Sequence, residues 1–180
     1  KLIPRPCINA EDEGYNCEWS QELKLQESFE QYLDAYLLIH VLRDKFGWSN
    51  ASQPGFIFNM SAGYNLEGIL KENVQWFLDN MRDASEAIAT KLESISAIYP
   101  GAADLKMDTC ISNNITLSTM HGCPPDEIEK IGRYLIRERG LHTIIKLNPT
   151  LLGKEDLHHI LDNSGFEAQV PDEAFAHDLK

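Results

Sequence analysis

The sequence predicts an α/β fold built on a parallel sheet. Short apolar segments typical of strands alternate with longer segments whose apolar residues recur at three- and four-residue spacing, as on one face of a helix. Polar residues come at the ends of two predicted strands, in Ser118–Cys123 and Lys146–Asn148. Ligands of parallel α/β sheets and barrels bind at the carboxyl ends of the strands. We therefore expect a polar site at that end.

The first half of the chain contains two helical regions and one strand. Residues 1–19 are turn-rich and predict an irregular arm, separate from a domain over residues 20–180. A helix is predicted from Ser20 to Gly47, then a buried strand at Phe56–Ala62. Apolar spacing over residues 66–99 predicts a second helical region, broken near residues 71–74.

The second half of the chain again alternates predicted strands with predicted helices. Strands are predicted at Leu105–Leu117, Thr143–Leu147 and Phe166–Val170, and helices at Pro125–Arg139 and Lys154–Asn163. The helix at Pro125–Arg139 has a well-marked start. Pro125 suits the first turn because a backbone amide there has no partner within the helix, and Asp126 and Glu127 suit it because the helix dipole favours negative charge at this end.

Composition narrows the possible partners. The 180 residues are 43% hydrophobic, and 16 basic against 28 acidic residues give a net charge of −12, which repels nucleic acid and anionic membranes. No run approaches the roughly 20 apolar residues of a membrane span. Residues 1–6 lack the apolar core of a signal peptide. We expect a cytoplasmic protein with no nucleic-acid or membrane partner.

The cysteines do not predict a metal site. Cys7, Cys17, Cys110 and Cys123 lie far apart, without a Cys-x-x-Cys pair or a histidine at ligand spacing. A disulfide framework is also not expected in a cytoplasmic chain.

Several segments resemble a known family of enzymes. In order, residues 56–67, 101–104, 117–122 and 146–149 resemble the flavin-binding barrel of dihydropyrimidine and dihydroorotate dehydrogenases. A closer resemblance is to the amino-terminal barrel of the large iron–sulfur subunit of the selenate reductase family. It rests on Pro4–Ile8, Tyr15–Trp19 and Thr116–Asp126.

The resemblance implies a partial TIM-like (β/α)8 barrel. The three best strands look like the third, fourth and fifth, and Phe166–Val170 would begin the sixth. A complete barrel needs about 250 residues. Residues 20–180 would therefore be a fragment with unpaired strand edges, which predicts a homodimer or a rearranged packing of the first fifty residues.

The resemblance also implies cofactors and partners. The parent would be a multidomain oxidoreductase that passes electrons between a nicotinamide, flavins and iron–sulfur clusters. Flavin mononucleotide (FMN) would bind the barrel, and FAD, NAD(P) and iron–sulfur clusters would bind other domains or subunits. The fragment alone would be inactive and hold no cofactor, because loops after the seventh and eighth strands normally grip the FMN phosphate.

Lys146 is the leading candidate residue. In the resembling dehydrogenases a lysine in this position contacts the flavin ring, where its positive charge favours the anionic reduced form. The alternative is an ordinary surface lysine at a strand end. Asn148 lies two residues on and on the same side, and Asn59 and Ser61 would face the same mouth from the end of the first strand.

The loop after the fourth barrel strand departs from the dehydrogenases. Thr119 stands where they have a cysteine that acts as general acid, and Thr116 where they have an asparagine that contacts the substrate. Threonine cannot replace a thiol as proton donor. Cys123, which precedes a helix, and His121 are candidates for the proton donor in its place. The alternatives are that Cys123 is only a small packing residue and that His121 is only a loop residue.

Other interpretations remain open. Asn113 and Asn114 are candidates to contact substrate through their amides, although paired asparagines are also common in turns. The barrel could be a degenerate, non-enzymatic scaffold on which redox domains dock. An aldolase-like barrel with Lys146 as a Schiff base is a third hypothesis.

Overall fold

A parallel sheet organises the fold. The computed structural model describes residues 24–48, 55–63, 65–118 and 124–176. Its strands are β1 (Asn59–Ala62), β2 (Asn114–Ser118) and β3 (His142–Lys146), in the order β1-β2-β3. All pairs are parallel, as the alternation of strands and helices predicts.

One helix precedes the first strand, and others connect the strands and follow the last one. The α-helices are α1 (Leu25–Lys45), α2 (Leu66–Ile69), α3 (Glu72–Arg82), α4 (Ser85–Ser96), α5 (Pro125–Arg133), α6 (Lys154–Asn163) and α7 (Asp172–Ala176). Short 3₁₀ turns cover Pro100–Asp104 and Pro149–Leu152, and α5 continues as a π-helical turn over Tyr134–Glu138.

The second helical region is broken twice. One break separates α2 from α3, where the sequence predicts it. The other, at Asp83–Ala84, was not predicted. There the Asp83 carboxylate accepts a hydrogen bond from the Ser85 amide (3.1 Å), and the Ala84 amide bonds to the Thr109 carbonyl (2.9 Å). Both hydrogen bonds give a partner to a backbone amide that, in a continuous helix, would donate to the carbonyl four residues earlier.

Two strand predictions are corrected. Only the end of the segment 105–117 pairs as β2, because the amides of Ile111 and Ser112 bond instead to the Met81 carbonyl at the end of α3 (2.9 and 3.1 Å). Residues 166–170 are not a strand: the Phe166 amide bonds back to Leu161 (3.0 Å) and closes α6. The described chain therefore contains three strands of the predicted four.

The hydrophobic core lies on one face of the sheet. Met60, Ala62, Ile115 and Leu117 are at most 1% exposed and point to the helices. The largest buried side chains that join them are Leu33, Tyr36, Leu37, Phe77, Leu78 and Met81 from α1 and α3. The opposite face of the sheet carries polar side chains.

The Ser112 side chain links the backbone at the start of β1 to the backbone at the start of β2. Its hydroxyl donates to the Phe58 carbonyl (2.6 Å) and accepts from the Asn114 amide (3.1 Å), and the residue is 4% exposed. Ser112→Ala leaves both backbone groups without this partner, so we expect a loss of about 1–3 kcal/mol in the free energy of unfolding, measured with urea. Ser96→Ala, which removes one local bond within α4, is the control and should change it by less than about 0.5 kcal/mol. Equal losses would contradict this role.

Candidate functional site

The carboxyl end of the sheet brings Lys146 beside Ser118. The two residues pair in register as the last residues of β3 and β2. Lys146 is exposed and Ser118 half-buried. The predicted position of Lys146 at a strand end is confirmed. Ser118 is not among the predicted site residues, although alternation from Thr116 places it on the same face of the sheet as Lys146.

Two helices begin together at this end. The Glu127 carboxylate, in the first turn of α5, accepts a hydrogen bond from the Leu66 amide, the first residue of α2 (3.1 Å). Asn65 caps α2 by accepting from the Gly68 amide (2.8 Å). Since α2 follows β1 and α5 follows β2, the Glu127 contact holds the two connections together beside the strand ends. No local sequence signal identifies it, because the partners are 61 residues apart.

The predicted catalytic residues cannot be placed against this geometry. Thr119, His121 and Cys123 lie outside the described residues. Their proposed roles in proton transfer stay predictions.

Asn59 and Thr116 contact each other across the strands. The Thr116 hydroxyl lies 2.7 Å from the Asn59 side-chain oxygen, to which it donates. Asn59 is the first residue of β1, so it lies toward the amino end of the sheet and not at the mouth with Lys146. This corrects the expected placement; the strand begins three residues later than predicted. Ser61 pairs with Thr116 one position before β1 ends.

Asn113 and Asn114 also lie at the amino end. Asn114 opens β2, four residues before Ser118, which corresponds to about 13 Å along a strand. Its side-chain amide donates to the Asn113 side-chain oxygen (2.7 Å). The pair borders a cavity of about 370 Å³, also lined by Tyr36, Phe56, Phe58 and Asp108. The pair therefore lies at the opposite end of the sheet from Lys146, and its contact with substrate stays a prediction.

Asn148 follows Lys146 just beyond the carboxyl end of β3. It is half-buried, two residues after β3, and its backbone carbonyl accepts from the Leu151 amide (3.1 Å) in the 3₁₀ turn that follows. The structure thus brings together Lys146, Asn148 and Ser118 at the carboxyl end, with Ser61 one position below the end of β1.

The face of the sheet opposite the core is almost entirely polar. By alternation and register, its members are Asn59, Ser61, Asn114, Thr116, Ser118, His142, Ile144 and Lys146. All are exposed or half-buried, whereas the residues between them in β1 and β2 are buried. In a closed barrel one face of the sheet lines the interior and the other packs against the helices. This polar face occupies the interior position.

Within the described ranges, no helix is long and apolar enough to cross a membrane. Histidine, cysteine, aspartate and glutamate side chains form no group of three or more suited to a metal ion in that same part of the chain.

Parallel strands with helices on one face and polar groups at the strand ends are the features of an α/β-barrel domain. A family model described as "Oxidoreductase YgfK, N-terminal TIM-barrel domain" matches residues 1–180, and the chain belongs to this family.

Two curated relatives extend the comparison. The chain is 42% identical over 203 aligned residues to the YgfK proteins of Escherichia coli K12 and Escherichia coli O157:H7. The match covers 99% of this chain and 19% of each relative, so the chain spans about a fifth of the length of these proteins. No solved structure matches the chain significantly.

Proposed function

We propose that this chain is part of a flavin-binding barrel in a multidomain, electron-transferring oxidoreductase resembling dihydropyrimidine dehydrogenase. The observation that carries the proposal is the position of Lys146, exposed at the carboxyl end of β3 beside Ser118. Barrel enzymes bind their ligands at that end. The family's description as an oxidoreductase supports the reaction class.

The residues at this end fit an FMN ring. Lys146 supplies a positive charge, which favours the anionic reduced flavin over the neutral oxidised one. Asn148 and Ser118 supply polar groups at the same end of the sheet, and both can donate to or accept from a flavin edge. Bound FMN would supply the ability to accept and pass on electrons. In this proposal the chain's residues bind and orient the ring.

The finer assignments extend the same proposal. His121 or Cys123 would donate the proton to the substrate, since Thr119 occupies the position of the usual acid. FAD, NAD(P) and iron–sulfur clusters would bind elsewhere in the parent, in the cytoplasm. The resemblance to the selenate reductase family concerns the barrel, and the substrate is to be identified by experiment.

The test is the flavin content of a longer polypeptide that carries this sequence. We expect Lys146→Ala to weaken FMN retention by about tenfold or more, because it removes a charged contact of the kind worth about 1.5–3 kcal/mol. The measurement is the visible spectrum with chromatography of the released cofactor. Lys106→Ala, an exposed lysine outside the strands, is the matched control and should retain wild-type flavin.

Wild-type protein that stays free of FMN after anaerobic reconstitution would overturn the flavin site. It would favour the second candidate, a non-enzymatic scaffold for redox domains, which the threonine at the acid position also favours. The aldolase-like hypothesis receives no support from the fold, since Lys146 is exposed and a Schiff-base lysine is typically activated by burial.

A further inference from the structure

Helix α1 extends beyond the amino end of the sheet. The Tyr32 hydroxyl donates to the carbonyl of Asn59, the first residue of β1 (3.2 Å). One turn later, the Tyr36 ring packs against Phe56, which precedes β1, with ring centroids 6.3 Å apart. The helix therefore runs antiparallel to β1. It continues from Tyr36 to Lys45, a further rise of about 14 Å.

Two aromatic side chains are stacked at the end of this extension. The ring centroids of Phe46 and Trp48 are 5.1 Å apart, and the ring planes differ by 21°. The two residues are 57% and 68% exposed. Exposed aromatic side chains of this size are frequent anchors of protein interfaces. We call Phe46 and Trp48 the aromatic pair.

Backbone hydrogen bonds fix the position of the aromatic pair. Gly47 adopts a left-handed conformation (φ 65°), its amide donates to the Asp44 carbonyl (3.0 Å), and the Trp48 amide donates to the Arg43 carbonyl (2.9 Å). Helices often end in this way at a glycine. Because the pair is already ordered, a partner that binds it would lose little conformational entropy there.

A side-chain contact joins the end of α1 to the chain that follows α4. The Asp44 carboxylate accepts a hydrogen bond from the Tyr99 hydroxyl (2.5 Å). Ile98, the residue before Tyr99, is 89% exposed. The exposed apolar surface at the end of α1 thus has a second exposed apolar residue on the adjoining segment.

Closure of a barrel would not bury the aromatic pair. Further strands of a barrel pair at the sides of the sheet, and their helices surround it. The pair lies beyond the amino end of the sheet, whereas Lys146 marks the carboxyl end. A partner bound at the pair would therefore leave the strand ends accessible.

We propose that Phe46 and Trp48, with the adjoining Ile98, form the surface on which another domain of the same longer polypeptide docks beneath the barrel. The partner's contribution is an apolar pocket or groove that receives the two stacked rings. The inference rests on membership of the YgfK barrel family and on the length of its members, and it does not depend on the flavin site.

The length of the relatives and the size of the surface favour this partner. The chain spans 19% of the curated relatives, so most of their length is available to supply a docking domain. A stable contact between separate chains commonly uses about 20–30 residues on each side. The aromatic pair with Ile98 offers far fewer. Covalent linkage lowers this requirement, because it gives the two domains an effective concentration that reaches the millimolar range.

Photo-cross-linking in a longer polypeptide that carries this sequence tests the proposal. The photoreactive residue p-benzoylphenylalanine replaces Trp48, whose size and aromatic character it preserves, and mass spectrometry identifies the cross-linked peptide. We expect a cross-link within the same polypeptide to a segment outside the barrel domain. The matched control carries the probe at Leu70, which is 49% exposed between α2 and α3, and should not reach that segment.

Three outcomes would overturn the proposal. A cross-link to residues 1–23, to residues 49–54 or to another part of the barrel domain would show that the barrel covers the aromatic pair itself. A cross-link between two polypeptides, seen at doubled mass, would identify a second copy. A longer polypeptide without any cross-link from position 48 would show that the pair stays exposed. None of these results depends on bound flavin.

A double substitution provides a second measurement. Phe46→Ser with Trp48→Ser should accelerate amide hydrogen exchange by at least about tenfold in the segment that position 48 reaches, because both anchors are removed. The barrel domain itself should keep its fold, since both side chains are more than half exposed. Leu70→Ser is the control and should leave exchange in that segment unchanged. Unchanged exchange in the double variant would also overturn the proposal.

Discussion

Replacement of Phe77 by alanine is expected to lower the free energy of unfolding by about 3–5 kcal/mol. Phe77 lies in α3, is fully buried and packs edge-on against Tyr32, with ring centroids 6.3 Å apart. The truncation removes a large apolar surface and leaves a cavity where α1 and α3 meet the sheet. Urea unfolding followed by circular dichroism measures the loss.

The matched control is Phe166→Ala. This phenylalanine is 62% exposed, so its removal should change the free energy of unfolding by less than about 0.5 kcal/mol. Since an average domain is stable by only about 5–15 kcal/mol, Phe77→Leu provides a milder loss if the alanine variant fails to fold. Similar effects at positions 77 and 166 would contradict the described core.

Acidification below about pH 6.5 is expected to destabilise the fold through His40. This residue of α1 is 4% exposed, and its Nε2 atom has no hydrogen-bond partner among the described residues. Burial, and secondarily the positive charge of Arg43, lowers the pKa of His40 below its usual 6.5. The Tyr36 ring, whose centroid is 4.7 Å away, packs against it.

The sign of the effect follows from proton binding. Below pH 6.5 the unfolded chain binds a proton at His40 and the folded chain does not, so stability decreases as pH decreases, by up to about 1.4 kcal/mol per pH unit. The decrease ends below the lowered folded pKa. In urea titrations between pH 7 and 5, His40→Gln should flatten this dependence. His159→Gln, at an exposed histidine, should retain the wild-type slope. An unchanged slope in His40→Gln would refute the assignment.

Local patterns predicted much of this fold. The three- and four-residue spacing of Leu25, Phe29, Leu33 and Tyr36 identifies the face of α1 that the structure buries. Lys146 was predicted at a strand end because an apolar run precedes it and a proline follows shortly after. Both inferences depend on neighbours within a few residues, where propensity and periodicity act.

Predictions that depended on distant partners were less accurate. The position of Asn59 in its strand is set by pairing with Asn114, 55 residues away, and not by its neighbours in sequence. Segment 166–170 has suitable composition for a strand, but none of the described residues pairs with it as a strand. The contact between Glu127 and Leu66 likewise requires the fold to be known.

The two faces of the sheet have a consequence for sequence variation. Along β1 and β2, residues at positions 60, 62, 115 and 117 fill the core, whereas the alternating positions 59, 61, 114 and 116 carry polar groups that are not packed under helices. A mutational scan of the 180-residue chain should therefore show that positions tolerant of substitution alternate with intolerant ones along β1 and β2. In this chain the polar positions do not share the volume constraint of the helix-side core, so a substitution there need not repack that core.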